Sequence, residues 1–304
     1  MRVVKVRIGF DLGTHSTSGT GERFAQLVDE LEAHRFDSLW LSERLTTDCP
    51  DPLVAMSFAA ARSSHLKVGT SVMVLPGRNP VVLAKALASL DQLSGGRVLP
   101  AFGLGAPNAA EHQAFGVERG ERAAWFDEAL PLMQRLWTED HVEHDGPRFH
   151  LQDVTIRPKP LQQPLEVWGG GTAPSELRRV ARYCHGWLPS FCSPAQAEAG
   201  RATIIEQLAA QEGRAVDPEH FGVLLPYLPD ATDGVPEQLA ALYRSRNPDA
   251  DPADLIATRR GLPALIRRFV DVGFSKFVVV PVVEPDDWTP ELAELAAIVK
   301  PLQT

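Results

Sequence analysis

The chain has 304 residues, 44% hydrophobic and 23% charged, with a formal net charge of −9 and an isoelectric point near 5.5. That balance excludes general nucleic-acid binding, which needs a basic face against the phosphates, but it is compatible with a small anionic ligand held by a local cluster of donors. Three cysteines (Cys49, Cys184 and Cys192) with no C-x-x-C pair argue against a disulfide framework or a zinc site, and no apolar run approaches ~18 residues, so a cytoplasmic protein without a membrane span is expected.

In chain order, strand-like and helix-like segments alternate almost throughout. The opening MRVVKVRIGF alternates charged and apolar residues and reads as a strand, not a signal peptide. Strands are expected at 4–10, 38–42, 66–75, 97–103, 165–169, 186–191, 221–227 and 274–281. Between the first two, residues 21–35 carry Phe24, Leu27, Val28 and Leu31 at helical spacing. Residues 80–96 carry Leu83, Leu87, Leu90 and Leu93 and stop at paired glycines, a helix-ending signal. Residues 122–137 stack Trp125, Ala129, Met133 and Trp137 on one face. Two stretches interrupt the pattern. Residues 139–164 read as a hairpin followed by a proline-rich connector after the fourth strand, and 228–260 as a longer excursion between the seventh and eighth strands. Eight strands separated by helices predict an α/β fold, a (β/α)8 barrel forming one domain over 1–304, with a doubly wound open sheet as the alternative.

In such a barrel, chemistry sits at the C-terminal ends of the strands. The stretch EVWGGGTAPSELRRVAR (166–182) is a strand end, three glycines and then a helix whose first turn holds Pro174. Unpaired amides at a helix start, with no Cβ in the way, make a phosphate cradle; the alternative is a tight turn that needs glycine for its conformation alone. The stretch is neither a P-loop nor a G-x-G-x-x-G fingerprint.

DSLWLSER, LKVGTSVMVLPGRNPVVLAKALASLDQLSGGR, AFGLGAPNAAE, IRPKPLQQPLEVWGGG and HGWLPSF occur in an order that resembles the bacterial luciferase-like superfamily of flavin and deazaflavin oxidoreductases, over roughly residues 6 to 300. Wording and spacing are most similar to the branch that uses coenzyme F420, an 8-hydroxy-5-deazaflavin; FMN with a separate reductase, as in a monooxygenase, is the alternative, and a non-catalytic flavin-binding protein a second. The resemblance implies a homodimeric oxidoreductase that moves a hydride between the cofactor and a small organic substrate. It implies that Gly170, Gly171, Thr172 and Ser175 contact the cofactor phosphate, and that a non-proline cis peptide joins Ser71 and Val72 beneath the ring. Gly103 and Gly105 would let the ring edge approach the backbone, with Leu104 packed on it.

The chain also departs from the family pattern. Related sugar-phosphate dehydrogenases carry a carboxylate just after the glycine pair, where this chain has Ala106; Asn108 is either a polar substitute that meets the cofactor or a loop cap. An acid followed by histidine becomes Glu43 and Arg44. Arginine stays charged and is no general acid, so Arg44 is expected to steady negative charge on the reduced cofactor or a substrate oxygen, with Glu43 orienting it or touching the ring. Ser190 matches a substrate-contact position, or is a cap. Asp11 and His15 follow the first strand and could reach the pocket, Asp11 being expected first to bond loop backbone, and Arg78, Arg148 and Lys159 could meet the cofactor's acidic tail. His141, His144 and His150 lack metal-site spacing, so no metal is expected. Lys276, near the start of its strand, lies on the wrong face for Schiff-base chemistry.

Overall fold

The computed structural model describes residues 5–14, 21–209, 214, 216–230, 232 and 235–304. It begins with β1 (Arg7–Asp11), α1 (Gly21–Ala33), β2 (Ser38–Leu41) and α2 (Pro52–Arg62). The expected third strand is two pieces, β3 (Lys67–Thr70) and β4 (Met73–Val74), on either side of a cis peptide between Ser71 and Val72. After α3 (Pro80–Ser94) the fourth strand is likewise split, into β5 (Val98–Leu99) and β6 (Ala101–Gly103), at Pro100, which has no N–H to give a ladder. Then come α4 (Ala109–Phe115), α5 (Arg122–Thr138), β7 (Val142–Asp145), β8 (His150–Val154), β9 (Trp168–Gly169), α6 (Pro174–Tyr183), β10 (Gly186–Trp187) and α7 (Pro194–Ala209). The chain finishes with β11 (Gly222–Leu228), α8 (Glu237–Arg246), β12 (Ala257–Thr258), α9 (Leu262–Asp271), β13 (Lys276–Pro281) and α10 (Trp288–Val299).

The parallel pairings follow one another around a ring. β1 lies between β13 and β2, β2 pairs β3, and β3 pairs β5. The upper half-strands continue it: β4 pairs β6, β6 pairs β9 and β9 pairs β10. A parallel bridge from Trp187 to Phe221 then leads into β11, which pairs β13. First and last barrel strands are therefore neighbours, as a closed barrel requires and the open-sheet alternative does not.

Two hydrophobic layers hold this ring. The larger lies between strands and helices, with Phe10, Leu39, Met56, Leu87, Met133, Phe269 and Trp288 among its buried members. The smaller fills the barrel with Trp40, Leu99, Ala101, Trp168, Leu188 and Val278. At the N-terminal end of the strands the barrel floor is charged. Lys276 is 4% exposed, lies 5.6 Å from both the Trp40 and Trp168 rings, and donates to Asp37 at 2.9 Å. Burial works against the Asp37 charge, but Lys276 and Lys67 outweigh it and hold its carboxyl well below the usual range. Lys276 is thus a structural cation at the far end from the strand C-termini.

α3 starts at an Asn79 cap followed by Pro80 and ends at Gly95 in the left-handed region. Leu83, Leu87 and Leu90 are buried as expected, but Leu93 is 87% exposed. At 100° per residue it falls about 80° off the stripe defined by the other three. The 139–164 insertion is an antiparallel β7–β8 hairpin followed by cis bonds at Pro158 and Pro164. Its connector is tied down by buried Asp91, which accepts from the Gln162 backbone at 2.9 Å and side chain at 2.6 Å. His141, His144 and His150 each pair with a different carboxylate, Asp153, Glu128 and Asp145. Among the described residues no cluster of three or more metal-ligating side chains forms, and no helix is long and apolar enough to cross a membrane. The 228–260 excursion packs its own small core of Leu228, Tyr243, Leu255 and Ile256 against Phe191 and adds β12 beside β11.

Candidate active site

The C-terminal ends of the barrel strands surround a cavity of about 220 Å³. Glu43, Arg44, Ser71, Val72, Gly103, Leu104, Gly105, Gly170, Gly171 and Ser190 all line it. It is smaller than the ~300–1,000 Å³ of sites that enclose a whole ligand, so it would admit one end of a larger molecule and leave the remainder over the mouth.

Val72, just after the cis bond, is the centre of one wall. A Cβ on Gly103 would lie 2.5 Å from Val72 Cγ2, and one on Gly170 would lie 3.2 Å from Cγ1. The bare positions on β6 and after β9 are therefore what allow this valine to sit in the wall. Gly105 has φ +83°, and its missing Cβ would meet Arg122 Nη2 at 2.9 Å and both Val74 methyls at 3.1 Å. The expectation that Gly103 and Gly105 clear room for a ligand edge needs this correction: the space beside each is first taken by the protein's own side chains. Asn108 also differs from the ligand-contact expectation. Its Oδ1 accepts from the Ala110 and Glu111 amides, capping α4, and it does not line the cavity.

Glu43 does not orient Arg44. It is 5% exposed, accepts the Val74 amide at 2.6 Å and forms an ion pair with Arg78. Burial pushes its carboxyl above the usual range, against the pull of Arg78 and the amide. Arg78 is consumed by this pair, Arg148 faces Glu121 and the Trp125 ring, and Lys159 caps the end of α5 through the Leu136 carbonyl. None of these three cations lines the cavity. Arg44 does, and no ion pair within 4 Å fixes it among the described residues.

Asp11 ends β1 and is completely buried, bonded to the Ser71 hydroxyl and the Gly13 amide. Burial pushes its carboxyl up to about 7, with the Ser71 and Gly13 hydrogen bonds pulling the other way. Ser71 Oγ lies 3.3 Å from Ser42 Oγ, and both serines line the cavity. His15 lies outside the described residues.

The glycine stretch adjoins Val72 and continues the wall. Gly169 packs against Val180 and Cys184 so closely that a Cβ would lie 2.8 Å from Val180 Cγ2. Trp187 fixes the turn by donating from Nε1 to the Gly171 carbonyl at 2.8 Å, and Gly171 takes φ +86°. Helix α6 then begins, but Thr172 and Ser175 do not line the cavity; Ser175 lines a separate outer cleft with Arg178, Arg179 and Arg182. In their place two unforeseen residues face the cavity, Glu176 and Arg179. Glu176 folds back to accept the Ala173 amide at 2.9 Å, while Arg179 pairs with Asp127 at 2.9 Å. A carboxylate thus caps the helix start and occupies the place where an anion would meet it. The S-E-L-R pattern carried the only available signal, an acid at the third helical position. Cys184 also lines the cavity, but burial pushes its thiol up to about 12, which makes it a poor nucleophile.

Comparison with known proteins identifies the family and the fold. The model of the luciferase-like monooxygenase family matches residues 3–264. An F420-dependent glucose-6-phosphate dehydrogenase of Kineococcus radiotolerans is 31% identical over 176 residues, 55% of this chain and 51% of the relative, so the chain spans about half the length of that protein. Among solved structures, the monooxygenase RslO1 of Streptomyces bottropensis superposes with a TM-score of 0.80 at 22% identity, covering 98% of this chain and 99% of the other. The coenzyme F420-dependent tetrahydromethanopterin reductase of Methanopyrus kandleri does so with a TM-score of 0.78 at 16% identity, covering 99% and 100%. At these identities the two structures establish the barrel fold.

Proposed function

The chain belongs to the luciferase-like monooxygenase family, and on that premise we propose that it is an oxidoreductase working with coenzyme F420 on a small organic substrate. The observation that supports this reading most is the cavity at the strand ends, whose lining joins the cis Ser71–Val72 segment to the glycine stretch leading into α6. Sequence relatives named as F420-dependent dehydrogenases support the choice of cofactor.

The residues present fit such a group. A flat ring entering the cavity would lie against Val72 and Leu104, and its phosphate would meet the backbone of Gly170 and Gly171 and the start of α6, the corner where Glu176 already places a carboxylate. Arg179, paired with Asp127, is a cation that lines the cavity on that side. When bound, the deazaflavin supplies a carbon that gives or accepts a hydride. The protein's share is positioning and electrostatics: Arg44 faces the cavity as a fixed positive charge, and Glu43, clamped by Arg78, holds the backbone of Val74.

The test is to purify the protein from a host that makes both F420 and FMN and to identify what accompanies it by absorbance and mass. Bound F420 is the expected result. FMN alone would move the protein to the monooxygenase reading, with a separate reductase supplying electrons.

A further inference from the structure

Hydride transfer to a carbonyl carbon leaves an oxygen that needs a proton, and the obvious candidates around the cavity do not provide one. Arg44 is permanently charged. Glu43 is held between the Val74 amide and Arg78. Position 106 is alanine, and its carbonyl is taken up by Arg122 and the Asn108 amide. Glu176 and Glu111 are held by backbone amides, and among the described residues the carboxyl that reaches the cavity wall through a hydroxyl is Asp11. It has no solvent exposure, yet its Oδ2 is bonded to Ser71 Oγ, and Ser71 is part of the cavity wall. A single hydroxyl separates a sealed carboxyl from the reacting space, and Ser42 Oγ stands 3.3 Å from that hydroxyl.

We infer that Ser71 is a catalytic residue that passes a proton to and from a substrate oxygen, that Asp11 is the positioning residue behind it that stores the proton, and that the substrate is an alcohol or the carbonyl compound derived from it. This rests on the cofactor reading above. In the reducing direction the carbonyl carbon gains a hydride, with its two electrons, from the reduced deazaflavin. The C=O π pair moves onto oxygen, which takes the proton of Ser71 Oγ while Ser71 takes the proton of Asp11 Oδ2. The products are the alcohol, the oxidised deazaflavin and the Asp11 carboxylate, which regains its proton from solvent by way of Ser42 and Ser71. Oxidation of an alcohol is the same sequence in reverse.

Three observations support this use of the pair. Burial, not a neighbouring charge, raises the Asp11 carboxyl to about 7, so both protonation states are populated near neutrality. The charged groups brought to this end by the surrounding elements are otherwise engaged or distant in role. After β2 they are Glu43, tied to Arg78, and Arg44; after β13, Glu284, tied to Arg23; across the cavity, Glu176 on the Ala173 amide and Arg179 on Asp127. Finally, Ser71 can serve either state of Asp11, donating to the carboxylate and accepting from the acid.

A purely structural Asp11 would tie β1 to the third strand without affecting a pH profile, so the test reads protonation directly. Carboxyl ¹³C resonances of the cofactor-free protein labelled at aspartate, with the Asp11 signal assigned by its loss in Asp11→Asn, are expected to titrate near 7. Asp11→Asn and Ser71→Ala are expected to lower kcat at least about a hundredfold and to abolish its pH limb near 7, while the Kd for F420, followed by its fluorescence, stays within about threefold; Ser71→Thr should recover part of the rate. An Asp11 signal titrating in the ordinary carboxylate range, or an Asp11→Asn protein that keeps both its rate and the limb, would overturn the inference. Should Asp11→Asn not fold, Ser71→Ala carries the same kinetic readings with the carboxyl in place. Wild-type protein that binds no deazaflavin would instead sink the cofactor reading, a result distinct from normal binding with unaltered variants.

Discussion

Glu176 bends back over the glycine stretch so that its Oε2 accepts the amide of Ala173 at 2.9 Å. The same carboxylate lines the cavity. It stabilises the start of α6, and it places a negative charge where a cofactor phosphate would meet the helix. Replacing Glu176 by Gln keeps a hydrogen-bond acceptor and removes the charge. The expected result is tighter binding of any phosphate-bearing cofactor, by up to about tenfold at low salt, with the gain shrinking as ionic strength rises. Glu176→Ala should show the same gain but lose about 1 kcal/mol of stability from the missing cap. Fluorescence titration and thermal melts at two salt concentrations check both.

Gly171 has no room for a side chain as the site stands. Its φ is +86°, and a Cβ would lie 2.2 Å from Glu176 Oε2. Gly171→Ala is expected to destabilise the protein by about 1–3 kcal/mol and to lose cofactor binding. Combining it with Glu176→Ala removes the colliding carboxylate but not the backbone conformation, so the double variant should recover only part of the loss. A double-mutant cycle of melting data reads the coupling directly.

The Asp11 carboxyl has a stability signature separate from any catalytic one. Its folded value of about 7 lies above the ~3.9 of an unfolded chain, so folding favours the protonated form. That stabilisation is complete below pH ~4, is lost as pH rises towards ~7, and changes little beyond; its full extent is about 4 kcal/mol. Asp11→Asn cannot ionise and should lack this component. Denaturant unfolding of wild type and variant from pH 4 to 8 is expected to show the variant gaining relative stability as pH rises.

At the opposite end of the barrel, Asp37 receives Lys276 and Lys67, each at 2.9 Å. Asp37→Asn leaves Lys276 charged and buried between two indole rings, and is expected to cost about 3–5 kcal/mol. Lys276→Met should cost less, because the thioether chain suits the same slot and Asp37 keeps Lys67. Neither change should alter cofactor affinity, since both lie at the far end of the strands from the cavity. Melts paired with cofactor titration separate the two effects.

The barrel itself was legible in the sequence because its signals are local. Each strand is a short apolar run, each helix a stripe of period 3.6, and Gly95 and the glycines after β9 punctuate them. The cis Ser71–Val72 bond came from family resemblance, as did most of the cavity wall. What the sequence did not reveal are partnerships that exist only once the ring closes. Glu43 finds Arg78 thirty-five positions away, not its neighbour Arg44, and Asp11 meets Ser71 across sixty positions. The resemblance implies Thr172 and Ser175 as phosphate contacts, but the turn of α6 presents Glu176 and Arg179 to the cavity. Leu93 shows the same limit on a helix face, where a leucine in near-register points to solvent.

The central claim is that the cavity lined by Val72 and the glycine stretch takes the ring end of a phosphate-bearing deazaflavin. Titrating cofactor-free protein with F420 and, separately, with FMN, for wild type and for Gly171→Ala, tests it most directly. The account predicts saturable F420 binding by the wild type that Gly171→Ala abolishes, and weaker binding of FMN. Tight FMN binding with no response to F420, or F420 binding that Gly171→Ala leaves intact in a folded protein, would contradict it.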